Sequence, residues 1–200
     1  MQIPGKVSIQ GQPARERILL TAYRLFYGNG IRATGVDRVI AESGVAKVTF
    51  YRHFPSKNDL VRAFLNYRHE RWMNWFVGGL ERHGGNLDGL VPTLAEWFGS
   101  DDFRGCAFIN SVGELGNDIL EINEIARSHK QEMIDAIEKL LPKANHGEKL
   151  ATAIAMAVDG AIVRAQYEAA PQAALEPLTL ILASIQAANG NLAQAKRCPW

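Results

Sequence analysis

The stretch Gly44-Val45-Ala46-Lys47-Val48-Thr49-Phe50-Tyr51-Arg52-His53-Phe54-Pro55-Ser56-Lys57 decides the fold of this 200-residue chain. Lys47 to Phe54 predicts a short helix, with Phe50 and Phe54 four residues apart on its inner face. Pro55 ends that helix, because the residue before a proline is pushed out of the helical region. Ser56-Lys57-Asn58-Asp59 predicts a capping box that opens a long helix running to the neighbourhood of Arg82. With Phe50 at the centre of the buried face and about 100° per residue, Val48 and Arg52 point to the opposite side. Thr49 and Tyr51 lie on the flanks.

Upstream, Ser43-Gly44-Val45 breaks an earlier short helix whose Val36, Val39 and Ile40 face inward. Thr34-Gly35-Val36-Asp37 fits a capping box in its acidic form, with Thr34 as the N-cap. Before it, Pro13 to Tyr27 reads as an amphipathic helix with Ile18, Ala22, Leu25 and Phe26 on one face. Gly28-Asn29-Gly30 stops it. Two short helices joined at a glycine-containing turn form the helix-turn-helix pattern. The outward face of the second carries side chains suited to a DNA major groove: an arginine that can fork onto guanine, a threonine hydroxyl, and a valine that can touch a thymine methyl. Tyr51, His53 and Lys57 can reach phosphates, and Ser56 sits at a helix start, where free N–H groups favour them too.

The stretch from Gly30 to Lys57 closely resembles the N-terminal domain of the TetR family, through Gly44-Val45 followed by Thr49-Phe50-Tyr51-x-His53-Phe54-x-Ser56-Lys57. The resemblance spans roughly residues 14–65. It implies DNA contact by Lys47, Val48, Thr49, Tyr51, Arg52, His53 and Lys57, with phosphate contact by Thr34. Two positions depart from the family pattern. Gly35 stands where a second hydroxyl residue is frequent, and Val48 where a small residue is frequent, so Val48 should shape which operator is read.

Charge is distributed in keeping with this. The net charge is +1, yet residues 1–71 carry twelve Lys/Arg against five Asp/Glu and residues 72–200 carry ten against sixteen. A basic front third is the electrostatic footprint of a polyanion-binding surface. The 47% apolar content supports a core. No apolar run is long enough for a membrane span, and Met1 to Gln12 lacks the apolar region of a secretory signal. Cys106 and Cys198 form no metal or disulfide pattern. A cytoplasmic protein without cofactor, metal or membrane partner is expected.

Beyond His83-Gly84-Gly85 every segment remains helical in pattern: Leu87–Gly99, Cys106–Gly116, Glu121–Leu141, Glu148–Ala169 and Leu175–Ala188. The expected fold is all-α. A three-helix helix-turn-helix domain at 13–60 precedes a larger helical ligand-binding and dimerisation domain at 61–190, with a disordered arm at 1–12 and a tail at 191–200. Trp72, Trp75, Trp97, Phe98, Phe103 and Phe108 are concentrated where helices of such a domain would leave an apolar ligand pocket, or would pack as plain core. Asn110 and Glu114, four apart, place two polar groups on one face. The segment Arg104 to Gly116, with Cys106 in it, resembles a recurrent segment in the sensor domains of one TetR subgroup. Ala153, Ile154, Ala157, Val158, Ala161, Ile162 and Ala165, with the stripe Leu178, Ile181, Leu182 and Ile185, read as an interface with a second copy or as internal core. The resemblance favours the former.

Together these features describe a non-enzymatic regulator. It would be a repressor that binds a palindromic double-stranded DNA operator as a homodimer and is released by a small, mainly apolar effector. Two other readings are a helical interaction module without operator binding and a helical hydrolase. The second would need Ser111, Glu114 and one of His83, His129 or His146 to assemble, and no nucleophile-elbow motif supports it.

Overall fold

The computed structural model describes residues 9, 11–142 and 147–195, the last seven by backbone alone. Most of the expected arm, the end of the expected tail at 196–200 with Cys198, and His146 lie outside the described residues. Nine α-helices and one 3₁₀ turn make up the regular structure of the described residues: α1 (Ala14–Asn29), α2 (Val36–Ser43), α3 (Lys47–His53), α4 (Lys57–Arg82), the turn Leu87–Gly89, α5 (Leu90–Phe98), α6 (Ala107–Leu115), α7 (Leu120–Glu138), α8 (Gly147–Tyr167) and α9 (Gln172–Ala195). Among these residues no helix is long and apolar enough to cross a membrane.

The chain divides into two compact units. The first comprises residues up to Val77 with Arg104–Glu132, and the second comprises Gly78–Phe103 with the chain from Met133 onward. The division differs from the boundary expected at 60/61, because α4 continues without interruption past that point and α6 packs with the N-terminal helices. The interior of the first unit is built on α1, whose Ile18, Ala22, Leu25 and Phe26 are all buried beside Val39, Phe50, Phe54, Leu60 and Phe64. Phe26 and Phe64 meet edge to face at 5.5 Å, and so do Tyr23 and Phe64 at 5.9 Å. Arg68 is wholly buried, its guanidinium 4.0 Å from the centre of the Tyr27 ring and donating to the Tyr23 hydroxyl. A buried charge is tolerated only when its donors and its field are answered. Two tyrosines do this through an oxygen acceptor and a π-face.

In the second unit α8 packs along α9, and α5 also meets α9. A Cβ at Gly79 would lie 2.5 Å from Thr93 Cγ2, so only glycine permits α4 and α5 to approach this closely. Ile154, Val158, Ala161 and Ile162 of α8 and Leu178 and Leu182 of α9 are buried within the chain. Much of the expected dimer stripe is therefore internal core. The outward apolar residues are Ile181 of that stripe together with Leu180 on α9 and Met156, Val163 and Tyr167 on α8. Helix α9 begins ahead of Pro177 and runs through Asn189-Gly190-Asn191 to Ala195, which corrects the expected tail. Poor helix formers there cost about 1 kcal/mol at the glycine, but Leu192 to Ala195 are good formers and carry the helix on.

One packing detail has a measurable consequence. His129 is buried, stacked on Phe108 at 3.6 Å and edge-on to Trp72 at 5.1 Å, with its Nδ1 3.1 Å from Nδ1 of His69. Burial first, then the positive charges of Lys130, His69 and Arg68, depress its pKa to about 2. Glu132, 3.2 Å from Nε2 of His69, is the acidic group on the far side of that ring. The folded pKa lies below the unfolded value, so the stability tied to neutral His129 is complete above about pH 6.5. It is lost as pH falls from there toward 2. One proton taken up on unfolding corresponds to about 1.4 kcal/mol per pH unit. Urea denaturation between pH 6.5 and 4.5 should therefore show a slope steeper by about 1 kcal/mol per unit in the natural chain than in His129→Phe. Coincident slopes would mean that His129 takes up its proton while still folded.

Candidate nucleic-acid interface

Helix α3 owes its position to its two ends and one side chain. Gly44, at φ 64° in the left-handed region, turns the chain between α2 and α3. Phe54, extended at φ −134° before Pro55, ends α3. Phe50 is completely buried. That burial orients the remaining side chains as the helical register requires: Val48 is 68% and Tyr51 42% exposed, Lys47 and Arg52 are exposed, and Thr49 and His53 are half-buried. The Tyr51 ring leans edge-on against Phe50 at 5.2 Å, which holds the phenol at the surface. The Arg15 guanidinium lies over Phe54 at 5.3 Å. The residues that a DNA groove would meet are thus brought together on one exposed face.

Charges around this face are partly tied down. Lys47 Nζ is 3.4 Å from the Asp37 carboxylate, both in open solvent, a pairing worth little. Glu42 takes Arg38 at 2.8 Å and Arg24 at 2.5 Å, and those hydrogen bonds, Arg38 first, hold its carboxyl below the usual range. Arg24 and Arg38 add to the basic surface and were not singled out from the sequence.

Two expected DNA contacts have other duties in the structure. Thr34 is fully buried, and its hydroxyl donates to the Gly30 carbonyl at 2.8 Å. It does not cap α2, whose N-cap is Gly35 without a side-chain bond. Closing the α1–α2 turn consumes the group. Lys57 donates from Nζ to the Ile31 carbonyl at 2.6 Å. Burial lowers its pKa, opposed by the charge of Glu114. The capping box at Ser56 forms: Asp59 N–H donates to Ser56 Oγ at 3.1 Å, and the Asp59 carboxylate accepts from the Ser56 backbone N–H and, at 2.6 Å, from the Ser56 hydroxyl. The aspartate is held below its usual pKa chiefly by that hydroxyl.

The residues expected to line a ligand pocket fall into three groups. Trp72, Trp75 and Phe108, all buried, pack in the first unit with Phe76 and His129, Trp72 stacking on Phe76 at 4.7 Å. Trp97, Phe98 and Phe103 pack on one another in the second unit, with centroids 5.2 to 6.0 Å apart. Asn110 and Glu114 line a cleft of about 320 Å³, measured with its open mouth, together with Phe26, Tyr27, Gly30, Ile31, Phe64, Ala107 and Ser111. Cys106 is a buried free thiol.

A clasp beside the cleft was not foreseen. Arg32 donates its backbone N–H to Glu114 Oε2 at 2.7 Å and its Nε to the Glu114 carbonyl, and its guanidinium pairs with Asp118. The cation thereby satisfies one of the last carbonyls of α6, where the helix dipole favours positive charge. Its signal in the sequence is a cation in the α1–α2 turn with no opposite charge nearby. His69 and His129, sixty residues apart, carry no such signal.

Comparison with known proteins agrees with this geometry. A family profile described as bacterial regulatory proteins, tetR family, matches residues 18–64. An uncharacterised HTH-type transcriptional regulator of Bacillus subtilis, YerO, is 40% identical over 53 residues, covering 26% of this chain and 18% of that protein. A second HTH-type regulator, from the region 3′ of lacX in Lactococcus lactis, is 25% identical over 131 residues, 62% of this chain and 64% of its own length. The chain thus spans less than two thirds of either relative. The crystal structure of a TetR-family transcriptional regulator from Streptomyces coelicolor superposes with a TM-score of 0.76 at 30% identity, covering 86% of this chain and 87% of that one. With a reading helix of this construction and a likeness that runs through nearly the whole of a solved relative, the chain belongs to the TetR family of DNA-binding transcriptional regulators.

Proposed function

We propose that this regulator is a repressor that binds a palindromic operator as a homodimer and is released by a small, mainly apolar molecule. The observation that carries the reading is the exposed face of α3, with Val48 and Arg52 outward over a fully buried Phe50. A short helix held so firmly presents its side chains without further ordering cost, which suits a major groove. In this reading Val48 and Arg52 face the bases, Thr49 and Tyr51 flank them, and Lys47 and His53 serve the backbone. Lys57 braces the turn at Ile31 with one of its three ammonium hydrogens and would serve the backbone with the others. The effector would act through the Trp72, Trp75 and Phe108 cluster, which shares a compact unit with α3.

Arg52→Ala should relax preference at one base position, at a cost of about 1–3 kcal/mol there. Lys47→Ala should weaken binding to all sequences alike and lower the salt slope by about one per half-site. Fluorescence anisotropy against a selected operator and its single-base variants, across a salt series, separates the two. Equal losses on specific and non-specific DNA for both variants would remove this division of roles.

The dimer reading rests on the outward stripe of Met156, Val163 and Tyr167 with Leu180 and Ile181, an apolar surface suited to a second copy of the same helices. Met156→Glu combined with Tyr167→Glu changes two side chains that are each 71% exposed in the single chain, so the fold should persist. Sedimentation at micromolar concentration should give a dimer for the natural chain and a monomer for the double variant. A monomeric natural chain would end the proposal of two linked half-sites.

A further inference from the structure

In a helix-turn-helix the N-terminal end of the second helix meets base edges, while the first helix crosses the phosphate backbone. At that end of α3 stands a carboxylate. Asp37 lies in the first turn of α2, its side chain 87% exposed, and its Oδ1 is 3.4 Å from Nζ of Lys47, the first residue of α3. Two other carboxylates of the basic front third are answered where they stand. Glu42 takes Arg24 at 2.5 Å and Arg38 at 2.8 Å, and Asp59 takes Arg62 at 2.5 Å and the Ser56 hydroxyl. Asp37 has instead a long contact in open solvent, made to a cation that a phosphate would take. A carboxylate in the first turn also complements the dipole of α2. That role is complete once the chain has folded, whereas on DNA the same carboxylate faces a polyanion.

We propose that Asp37 is a specificity-determining residue: its carboxylate accepts from a cytosine N4 amino group in each half-site and repels DNA that lacks one there. Once Lys47 turns to a phosphate, the carboxylate has lost its positive neighbour and lies in a field of like charge. A base amino group answers it. Adenine sets an acceptor, N7, beside its amino group, and a carboxylate cannot meet both; cytosine presents the donor alone. Any other base leaves the carboxylate desolvated with no donor, which penalises the wrong sequence rather than rewarding the right one. The proposal adds a group from α2 to the outward pair Val48 and Arg52, and it rests on the reading of α3 as the helix that enters the groove.

The test is fluorescence anisotropy of the full chain on an operator selected from random duplexes, on its single-base variants and on a mixed non-specific duplex. Asp37→Asn and Asp37→Ala should both bind the non-specific duplex about threefold or more tightly than the natural chain does. Asp37→Ala should also lose a preference of about tenfold for cytosine at one position of each half-site, and its affinity for the operator should not rise. A second measurement uses the natural chain: a base lacking only the N4 amino group at that position should weaken binding about tenfold and leave Asp37→Ala unaffected. Equal gains on operator and non-specific DNA would mean that the carboxylate acts through net charge alone. Equal losses would mean that it serves only to build α2. Either result, an unchanged preference at every position, or a preference lost at a base other than cytosine would overturn the proposal. Arg52→Ala on the same panel separates this proposal from the reading beneath it. If Arg52→Ala relaxes a base and Asp37→Ala does not, the role of Asp37 falls and α3 keeps its place; if neither does, both fall.

Discussion

Helix α3 has seven residues, fewer than an isolated helix needs to persist in water. Its shape is lent to it by Phe50, whose burial contributes about 1.5–3 kcal/mol of transfer free energy and fixes the rotation of the helix about its axis. The other half of the constraint comes from the ends: a left-handed glycine at Gly44 before it and the extended Phe54–Pro55 step after it. Val48 and Arg52 are outward because Phe50, held between those ends, is inward. A surface that must meet DNA cannot be held by the contacts it reserves for DNA, so it is held from behind.

The turn between α1 and α2 does the corresponding work on the other side. It receives Thr34 from within, Lys57 from α4, and the Glu114 carboxylate from α6, all on backbone groups of Gly30, Ile31 and Arg32. One side chain of the loop itself and two from helices α4 and α6 thus satisfy the polar groups of one loop. Two of those side chains, Thr34 and Lys57, belong to the pattern that marks the sequence as DNA-binding. Part of that pattern therefore also serves to assemble this unit.

This explains what was legible in the sequence and what was not. Periodicity and turn chemistry sufficed for the all-helical fold and for nearly every helix, because Phe50, Phe54, Pro55 and the Ser56 box act locally. The Thr34 box was misread because the same residue types can bond forward to a helix start or back to a preceding carbonyl, and only the position of α1 decides between them. The late helices were misassigned in part for a similar reason: Ile154 and Met156 are both apolar, and nothing local says which faces the chain's own core. The His69–His129 pair and the Arg32–Glu114 clasp join residues sixty and eighty-two apart, beyond the reach of any periodic argument.

Helix α4 gives these long-range contacts a common frame. From the Ser56 cap to Trp75 it lies within the first unit, so α3, buried Arg68, the Trp72 and His129 cluster and the cleft at Glu114 belong to one compact body. The exposed stripe of α8 and α9 belongs to the other. Such a partition places α3 in one body with the buried polar groups Arg68 and His129. Arg68 and neutral His129 are each paid for by particular neighbours, two tyrosines in one case and a stacked phenylalanine in the other. A buried guanidinium over one ring tolerates little displacement, because moving it strips the charge of its partners. Arg68 is on α4 and His129 packs on Trp72 and His69 of the same helix, so these pairings, with the apolar packing, fix where α4 lies against α1 and α7 in the first unit.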